Sequence, residues 1–260
     1  KDKRMLCAIL LLIFLNTCVL HDLQAQSEED ILSLFKNLNL PTVTEIEVQD
    51  VYEGEFIMPA TGKSAGDLPA HIRVCITSKP TENSDIKIEV WLPKENWNGR
   101  FLGTGNGGLA GSIAYWHLIT GLRAGFAVAN TDMGTSDSDG LLFSTPERWE
   151  DFGHRSTHQM TVIGKALATT YYKKKPSYSY FIGCSTGGGQ ALMEAQRYPD
   201  DYDGIIAGAP ANNRTHIHTS FFWNYRALTD EKDCDCEFTR EHVQAITDAI
   251  IRTNAGKDGG

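Results

Sequence analysis

The spacing of apolar side chains predicts a helix and then a group of strands in the first part of the chain. Residues 27–40 carry apolar side chains at helical intervals, and residues 42–58 alternate in part, as an edge strand does. Two further segments, 71–77 and 86–92, alternate on either side of a turn rich in helix- and strand-breaking residues. We expect these two segments to form a β-hairpin that serves as scaffold.

Strands and helices alternate regularly between residues 100 and 210. The predicted strands are short runs rich in apolar, aromatic and β-branched residues, at 100–102, 126–130, 178–182 and 205–207. The predicted helices lie between them, at 113–123, 155–174 and 186–198. This alternation is typical of an α/β fold with a mostly parallel sheet and right-handed crossovers. The intervening segment, 131–150, is predicted to be a long polar loop.

The regular pattern ends at Pro210. Residues 211–236 mix polar and aromatic side chains, and a helical stripe resumes at 239–251. We interpret residues 211–260 as the beginning of an inserted lid domain, which leaves residues 26–210 as the core. The aromatic residues of the lid segment either line a pocket for an aryl group or form a small core of the lid, which is the commoner role. They are Phe221, Phe222, Trp223 and Tyr225.

An almost wholly apolar run at residues 5–20 follows a short basic segment. The run is short for a membrane span, and small or polar residues follow it. Residues 1–25 are therefore predicted to be a signal peptide that is cut after Ala25, with an uncleaved anchor as the alternative. Export predicts a secreted or periplasmic protein with no membrane association after cleavage.

Export also makes the remaining cysteines candidates for disulfide bonds, because the destination is oxidising. They are Cys75, Cys184, Cys234 and Cys236. Cys234 and Cys236 are too close in sequence to pair easily with each other, so their partners and that of Cys75 stay open. The spacing of the cysteines does not match a zinc site.

The composition is that of a globular protein with an acidic surface. Of 260 residues 41% are hydrophobic, and 33 acidic residues against 24 basic ones give a formal charge of −9. This charge argues against a nucleic-acid partner, which requires a basic face.

Residues 183–187 read Gly-Cys-Ser-Thr-Gly, which matches the motif G-x-S-x-G. The motif lies between a predicted strand and a predicted helix, where it holds a serine on a strained turn with an exposed hydroxyl. Ser185 is therefore predicted to be the nucleophile of an acyl-transfer enzyme. The alternative is a glycine-rich turn in which the serine only caps the helix.

The glycine-rich loop 103–108 has two interpretations. Its spacing fits G-x-G-x-x-G, and Asp132 follows the next strand, which is the outline of a dinucleotide site in a non-catalytic or dinucleotide-binding α/β protein. The same glycines could instead present backbone N–H groups to an oxyanion. Export and the downstream serine motif favour the oxyanion loop.

A serine nucleophile needs a histidine base and a carboxylate that orients it. His154 and His158 are predicted to be half-buried structural residues, because the sequence shows no partnering carboxylates beside them. Three further histidines fall in the lid segment: His216, His218 and His242. The triad aspartate and histidine are therefore expected beyond residue 260, and the chain is expected to be the inactive N-terminal part of a longer protein.

Five motifs that fall in order along the chain resemble the tannase and feruloyl esterase family. They are 91–93, 97–102 with 105–108, 131–134, 183–188 and 203–210. The resemblance begins near residue 40 and covers the N-terminal half of the family's pattern. It implies an α/β-hydrolase fold with a large inserted lid, secretion, and hydrolysis of aromatic carboxylic esters such as gallates and ferulates.

The resemblance also assigns site residues. Ser185 matches the nucleophile, and Thr186 with Gly107, or its neighbour Gly108, matches the oxyanion donors. Cys184 matches a cysteine that pairs with one directly after the catalytic histidine, so its partner is expected beyond residue 260. Asp258 lies where a structural calcium loop of the lid would begin. No cofactor is expected for catalysis, and the expected substrate is a small aromatic ester or a plant cell-wall ester.

Two positions depart from the family pattern. Gly189 stands where relatives usually carry arginine. Residues 71–73 read His-Ile-Arg, where relatives usually read His-Cys-Arg, so Ile72 replaces a cysteine. Cys75 lies three residues after Ile72.

Overall fold

The fold is that of a computed structural model, and the description covers residues 27–136, 145–229 and 239–254. The predicted signal peptide lies outside these ranges, as do the disulfide candidates Cys234 and Cys236 and the predicted calcium-loop residue Asp258. Their roles stay predictions. The chain divides into two compact units, residues 1–210 and 211–260, which are described separately.

A seven-stranded sheet forms the centre of the first unit, in the spatial order β1-β2-β3-β5-β4-β6-β7. Its strands are β1 (Val43–Val51), β2 (His71–Ser78), β3 (Ile86–Pro93), β4 (Arg100–Thr104), β5 (Ala127–Thr131), β6 (Tyr178–Cys184) and β7 (Gly204–Gly208). The first part, from β1 to β5, is antiparallel, and the part from β5 to β7 is parallel. The predicted parallel strands therefore form the second half of a mixed sheet.

The predicted hairpin is confirmed in β2 and β3. His71 lies opposite Pro93 and Ser78 lies opposite Ile86, with no irregularity between these pairs. Because side chains alternate across a strand, Ile72, Val74 and their alternate neighbours all face one side of the sheet and enter the core. Ile72, the departure from the family pattern, is fully buried there.

Helices cover both sides of the sheet in the first unit. They are α1 (Glu28–Lys36), α2 (Tyr115–Arg123), α3 (Pro146–Glu150), α4 (Ser156–Tyr172) and α5 (Thr186–Arg197). Apolar residues of α1, α4 and α5 pack into one core with β2, β3, β4 and β6, whereas α2 packs into a second core with β3 and β5. Each strand is thus positioned by a helix on one side or the other.

Beside α2, the sheet carries an apolar hollow of about 770 Å³. It is lined by Trp116, Phe126, Tyr180, Ile182 and Ile206, among others. Trp116 and Ile206 are each more than 60% exposed, so large apolar groups stand open to solvent at this side of β6 and β7.

The segment that the sequence predicts as a polar loop contains α3, which leads through a turn of π-helix at Asp151–Arg155 directly into α4. Thr145 caps α3 and proline occupies its first position, a local start signal that the loop prediction missed. The π-turn is held by Arg155, whose Nε lies 2.5 Å from Oδ1 of the buried Asp151 and whose Nη2 donates to the carbonyl of Glu147 at 2.9 Å.

The second unit contains α6 (Arg214–Thr229) and α7 (Arg240–Asn254). The sequence predicts α7 but not α6, because residues 214–229 lack a clear apolar stripe. The preference for a small lid core is wrong for the described residues: Phe221, Phe222, Trp223 and Tyr225 are between 62% and 74% exposed. Across both units, no described helix is long and apolar enough to span a membrane.

Candidate active site

Ser185 joins β6 to α5 at a sharp turn, where its backbone has a positive φ angle. Its φ is +59° and its ψ is −116°, a region that costs a residue with a side chain on the order of 1–3 kcal/mol. The Ser185 N–H donates to the carbonyl of Gly208 at 3.1 Å, which ties the turn to β7. The side chain is exposed, and within the described residues Ser185 Oγ has no hydrogen-bond partner. The serine motif therefore forms the predicted elbow.

Glycines are required around Ser185 because backbone segments approach one another closely there. A Cβ on Gly183 would lie 2.2 Å from the carbonyl oxygen of Gly187, and one on Gly188 would lie 2.3 Å from that of Gly208. Neither contact can be relieved by moving a side chain. Gly188 therefore allows α5 to pack closely against β7.

The glycine-rich loop after β4 lies directly against the elbow. The Gly187 N–H donates to the carbonyl of Asn106 at 2.7 Å, and Thr186 Oγ1 donates to the carbonyl of Gly108 at 2.5 Å. Gly107 and Gly108 are exposed, and a Cβ on either would meet no atom within 4 Å. The structure thus brings Thr186, Gly107 and Gly108 together beside Ser185 and leaves open space in front of the loop.

A buried polar network holds this loop in place. Gln190 Oε1 accepts the N–H of Asn106 at 2.8 Å, and Gln190 Nε2 donates to Thr157 Oγ1 at 2.8 Å. Asn106 Nδ2 donates to the carbonyl of Thr131 at 2.8 Å, at the end of β5. Asn130 adds a further link, since its Oδ1 accepts the Ala114 N–H at 2.8 Å.

Sequence reasoning missed this network, although one signal of it is visible. Thr186, Gln190 and Glu194 recur at intervals of four along α5 and are all buried, at 3%, 4% and 0% exposure. Polar side chains on the buried stripe of a helix must find partners, so such a stripe indicates a network.

The structure gives no support to the dinucleotide interpretation of the loop. A Cβ on Gly103 would collide with the Tyr202 side chain, and one on Gly105 would lie 2.5 Å from Gly187 Cα, so packing against the core accounts for these glycines. Asp132 is 1% exposed, and its Oδ1 accepts the backbone N–H groups of Lys87 and Gly134. Burial raises the pKa of Asp132 to about 6. This buried carboxylate holds the backbone on either side of it.

His154 and His158 serve other contacts. His154 Nδ1 lies 2.8 Å from Tyr198 Oη, as expected for a half-buried structural histidine. His158 Nδ1 lies 2.7 Å from Asp201 Oδ2. The expectation that no carboxylates accompany His158 is wrong, because the fold brings Asp201 and Glu194 to it. Burial, together with Asp201, raises the pKa of Glu194 to about 9.

The described cysteines, Cys75 and Cys184, are both free thiols. Burial and the nearby Glu89 raise the pKa of Cys75 to about 12, so this thiol stays protonated and unreactive. Cys184 is exposed and lines the apolar hollow beside β7. The pairing of Cys184 with a cysteine beyond residue 260 stays a prediction.

A mixed sheet whose parallel strands carry a serine elbow between β6 and α5, with a glycine loop after β4, defines an α/β-hydrolase fold. The family described as "Tannase and feruloyl esterase" matches residues 71–260. The chain belongs to this family.

Known relatives share both the sequence and the fold. "Probable feruloyl esterase B-2" of Aspergillus fumigatus is 38% identical over 192 residues, which are 72% of this chain and 36% of the relative. The crystal structure of feruloyl esterase B from Aspergillus oryzae superimposes with a TM-score of 0.76 at 32% identity, over 90% of this chain and 47% of that one. For tannin acyl hydrolase from Aspergillus niger the TM-score is 0.56 at 25% identity, over 72% and 38%. The chain spans less than half the length of these relatives.

Proposed function

We propose that the protein to which this chain belongs is a serine esterase that hydrolyses aromatic carboxylic esters through an acyl-enzyme on Ser185. The observation that carries the proposal is the strained conformation of Ser185, φ +59°, beside a loop that the protein clamps at Asn106. Strain of this kind persists where the surrounding structure enforces it, and it is concentrated at reactive groups.

The proposed reaction has two halves. Ser185 Oγ attacks the ester carbonyl while its proton passes to a histidine that is expected beyond residue 260. The tetrahedral oxyanion is stabilised by the N–H groups of Thr186 and Gly107, with Gly108 as the alternative to Gly107. The alcohol leaves with the proton from the histidine, and water then releases the acid by the same sequence of steps.

Two features support the oxyanion assignment. Thr186 is the first residue of α5, where the helix dipole favours negative charge. Gly107 and Gly108 border open space, and the loop that carries them is hydrogen-bonded to the elbow. A donor of this type is worth about 3–4 kcal/mol of barrier when it is held in place before the reaction.

The substrate class rests on the relatives, which are named as feruloyl esterases and a tannin acyl hydrolase. We infer a phenolic carboxylic ester, either small or attached to plant cell-wall material, as the substrate. Secretion or export to the periplasm, through the signal peptide at residues 1–25, would bring the protein to such material. The reaction needs no catalytic cofactor, and a structural calcium ion near Asp258 of the lid belongs to the same proposal.

The test compares Ser185→Ala with Ser33→Ala in the protein as its gene encodes it. Ser185→Ala should lower kcat/KM for methyl ferulate and methyl gallate by about 10⁴-fold or more, because the nucleophile is lost. Ser33 is an exposed serine on α1, and its replacement should leave kcat/KM unchanged. A Ser185→Ala protein that is folded and still hydrolyses both esters at the wild-type rate would refute the proposal.

A further inference from the structure

A cluster of three ionisable side chains lies outside the elbow. His158 comes from α4, Glu194 from α5, and Asp201 from the turn before β7. One possible ligand atom from each lies within 4.8 Å of the other two. Along the axis of α5, Glu194 is about 13 Å from Ser185, so the cluster is separate from the candidate active site.

Glu194 is the most constrained member of the cluster. It has no exposed surface, and neither of its carboxylate oxygens has a hydrogen-bond partner within the part of the chain that the structure describes. A buried carboxylate without a donor is costly unless a cation or a proton compensates it. The carboxylate of Asp201 faces the same cluster and adds a second acceptor. This combination points to a positively charged ligand.

The neighbouring cationic side chains are engaged by other groups. Lys165 Nζ donates to the backbone carbonyl of Asp201 at 2.7 Å, and Arg197 Nη1 lies 3.2 Å from Nε2 of His154. The contact of His158 with Asp201 involves one oxygen of Asp201 and does not include Glu194.

The three side chains form a plausible set of metal ligands. One imidazole and two carboxylates suit a borderline divalent ion such as Zn²⁺, and Mn²⁺ accepts the same groups. The imidazole of His158 stacks on the ring of Tyr198, with 3.9 Å between the ring centroids and 8° between the planes, so its orientation is fixed. The His158 and Asp201 side chains are 29% and 15% exposed, which gives an ion a path from solvent.

We propose that His158, Glu194 and Asp201 bind one divalent metal ion, with Zn²⁺ as the best match. The ion joins α4, the last turns of α5 and the turn that leads into β7. Because α5 begins directly after Ser185 and Gly208 of β7 accepts the Ser185 N–H, the ion stabilises the elements that hold the elbow. The proposal concerns binding and stability, and it does not depend on ester hydrolysis.

The test uses the protein as its gene encodes it, treated with EDTA and returned to chelator-free buffer. Calorimetric titration with ZnCl₂ should show one ion per chain at this site, and Tm should rise with the zinc concentration. Glu194→Gln keeps the shape of the side chain and removes its charge, so it should weaken this binding at least tenfold. Asp200→Asn changes an exposed neighbouring acid and should leave the binding unchanged.

Two results would overturn the proposal. If neither ZnCl₂ nor MnCl₂ raises the Tm of the wild type, the cluster holds a proton shared between Glu194 and Asp201 instead of a metal. If wild type and Glu194→Gln respond equally, the ion binds elsewhere. Should Glu194→Gln fail to fold, Asp201→Asn replaces it. In that case Co²⁺ is added to the wild type. Its visible absorption should show a site with a nitrogen ligand, and competing Zn²⁺ should remove that absorption.

Discussion

At the scale of single residues, the elbow depends on glycines, which have no side chain. Ser185 can hold φ +59° because Gly183, Gly187 and Gly188 let three backbone segments approach one another more closely than any side chain would allow. Gly107 and Gly108 in the loop opposite have a different basis. Gly107 borders open space, so packing does not require its lack of a side chain.

This contrast predicts different effects of adding one methyl group. Gly188→Ala should lower the free energy of unfolding by about 3 kcal/mol, because its Cβ meets the Gly208 carbonyl and the Pro210 backbone. Gly107→Ala should change that free energy by no more than about 0.5 kcal/mol. Urea unfolding of both variants checks the prediction. Equal stability of the two would show that the elbow can relax around a side chain at position 188.

At the scale of elements, α5 contributes to the candidate site at two points along one buried stripe. Its N-terminal residue lies at the elbow, and Gln190, one turn further along, connects the glycine-rich loop after β4 to α4. The position of the loop is therefore set by a helix that follows it by 80 residues or so in sequence, which makes the arrangement a property of tertiary packing.

Replacing Gln190 tests whether this connection positions the loop. Gln190→Ala leaves the buried N–H of Asn106 without its acceptor, a loss of about 1–3 kcal/mol. We expect kcat for methyl ferulate to fall while KM changes little, because the oxyanion forms only after binding. Gln196→Ala on the exposed face of the same helix is the control and should leave kcat unchanged. A fall in stability alone, with kcat preserved, would assign Gln190 a purely structural role.

Elements with a strong local pattern could be predicted from the sequence. The β2–β3 hairpin, α4 and the strand, elbow and helix around Ser185 follow from alternation, helical spacing and glycines. The π-turn at Asp151–Arg155 could not be predicted, because it depends on Arg155 reaching Asp151 and the Glu147 carbonyl in the folded chain. The partners of His158 were missed for the same reason, since Asp201 lies 43 residues away.

At the scale of the whole molecule, the described part of the first unit holds Ser185 in a strained elbow and brings no histidine to it. Within residues 27–136 and 145–210, Ser185 has no histidine partner, and His154 and His158 contact Tyr198 and Asp201 instead. The apolar hollow beside β6 and β7 lies in the same unit. These features agree with relatives that are more than twice the length of the matched segment.

We therefore expect the 260-residue chain, expressed alone, to hydrolyse methyl ferulate no faster than its own Ser185→Ala variant. Without a base, the serine hydroxyl is a weak nucleophile at neutral pH. The measurement is a rate comparison of the two purified proteins. Activity that Ser185→Ala abolishes would place the base inside the chain, and single replacements of His216, His218 and His242 would then identify it.

The position of β4 determines the stage of protein synthesis at which the elbow and the glycine-rich loop can come together. β4 precedes β5 and β6 along the chain but lies between them in the sheet. At a synthesis rate of about 5–20 residues per second, the ribosome takes about 4–16 s to proceed from the end of β4 to the elbow. During that interval β4 lacks its neighbour β6, and the loop that follows β4 lacks the contacts that Gly187 and Gln190 supply. A nascent chain therefore carries no assembled elbow and loop until its translation has passed β6 and α5, so the elbow is completed late in synthesis.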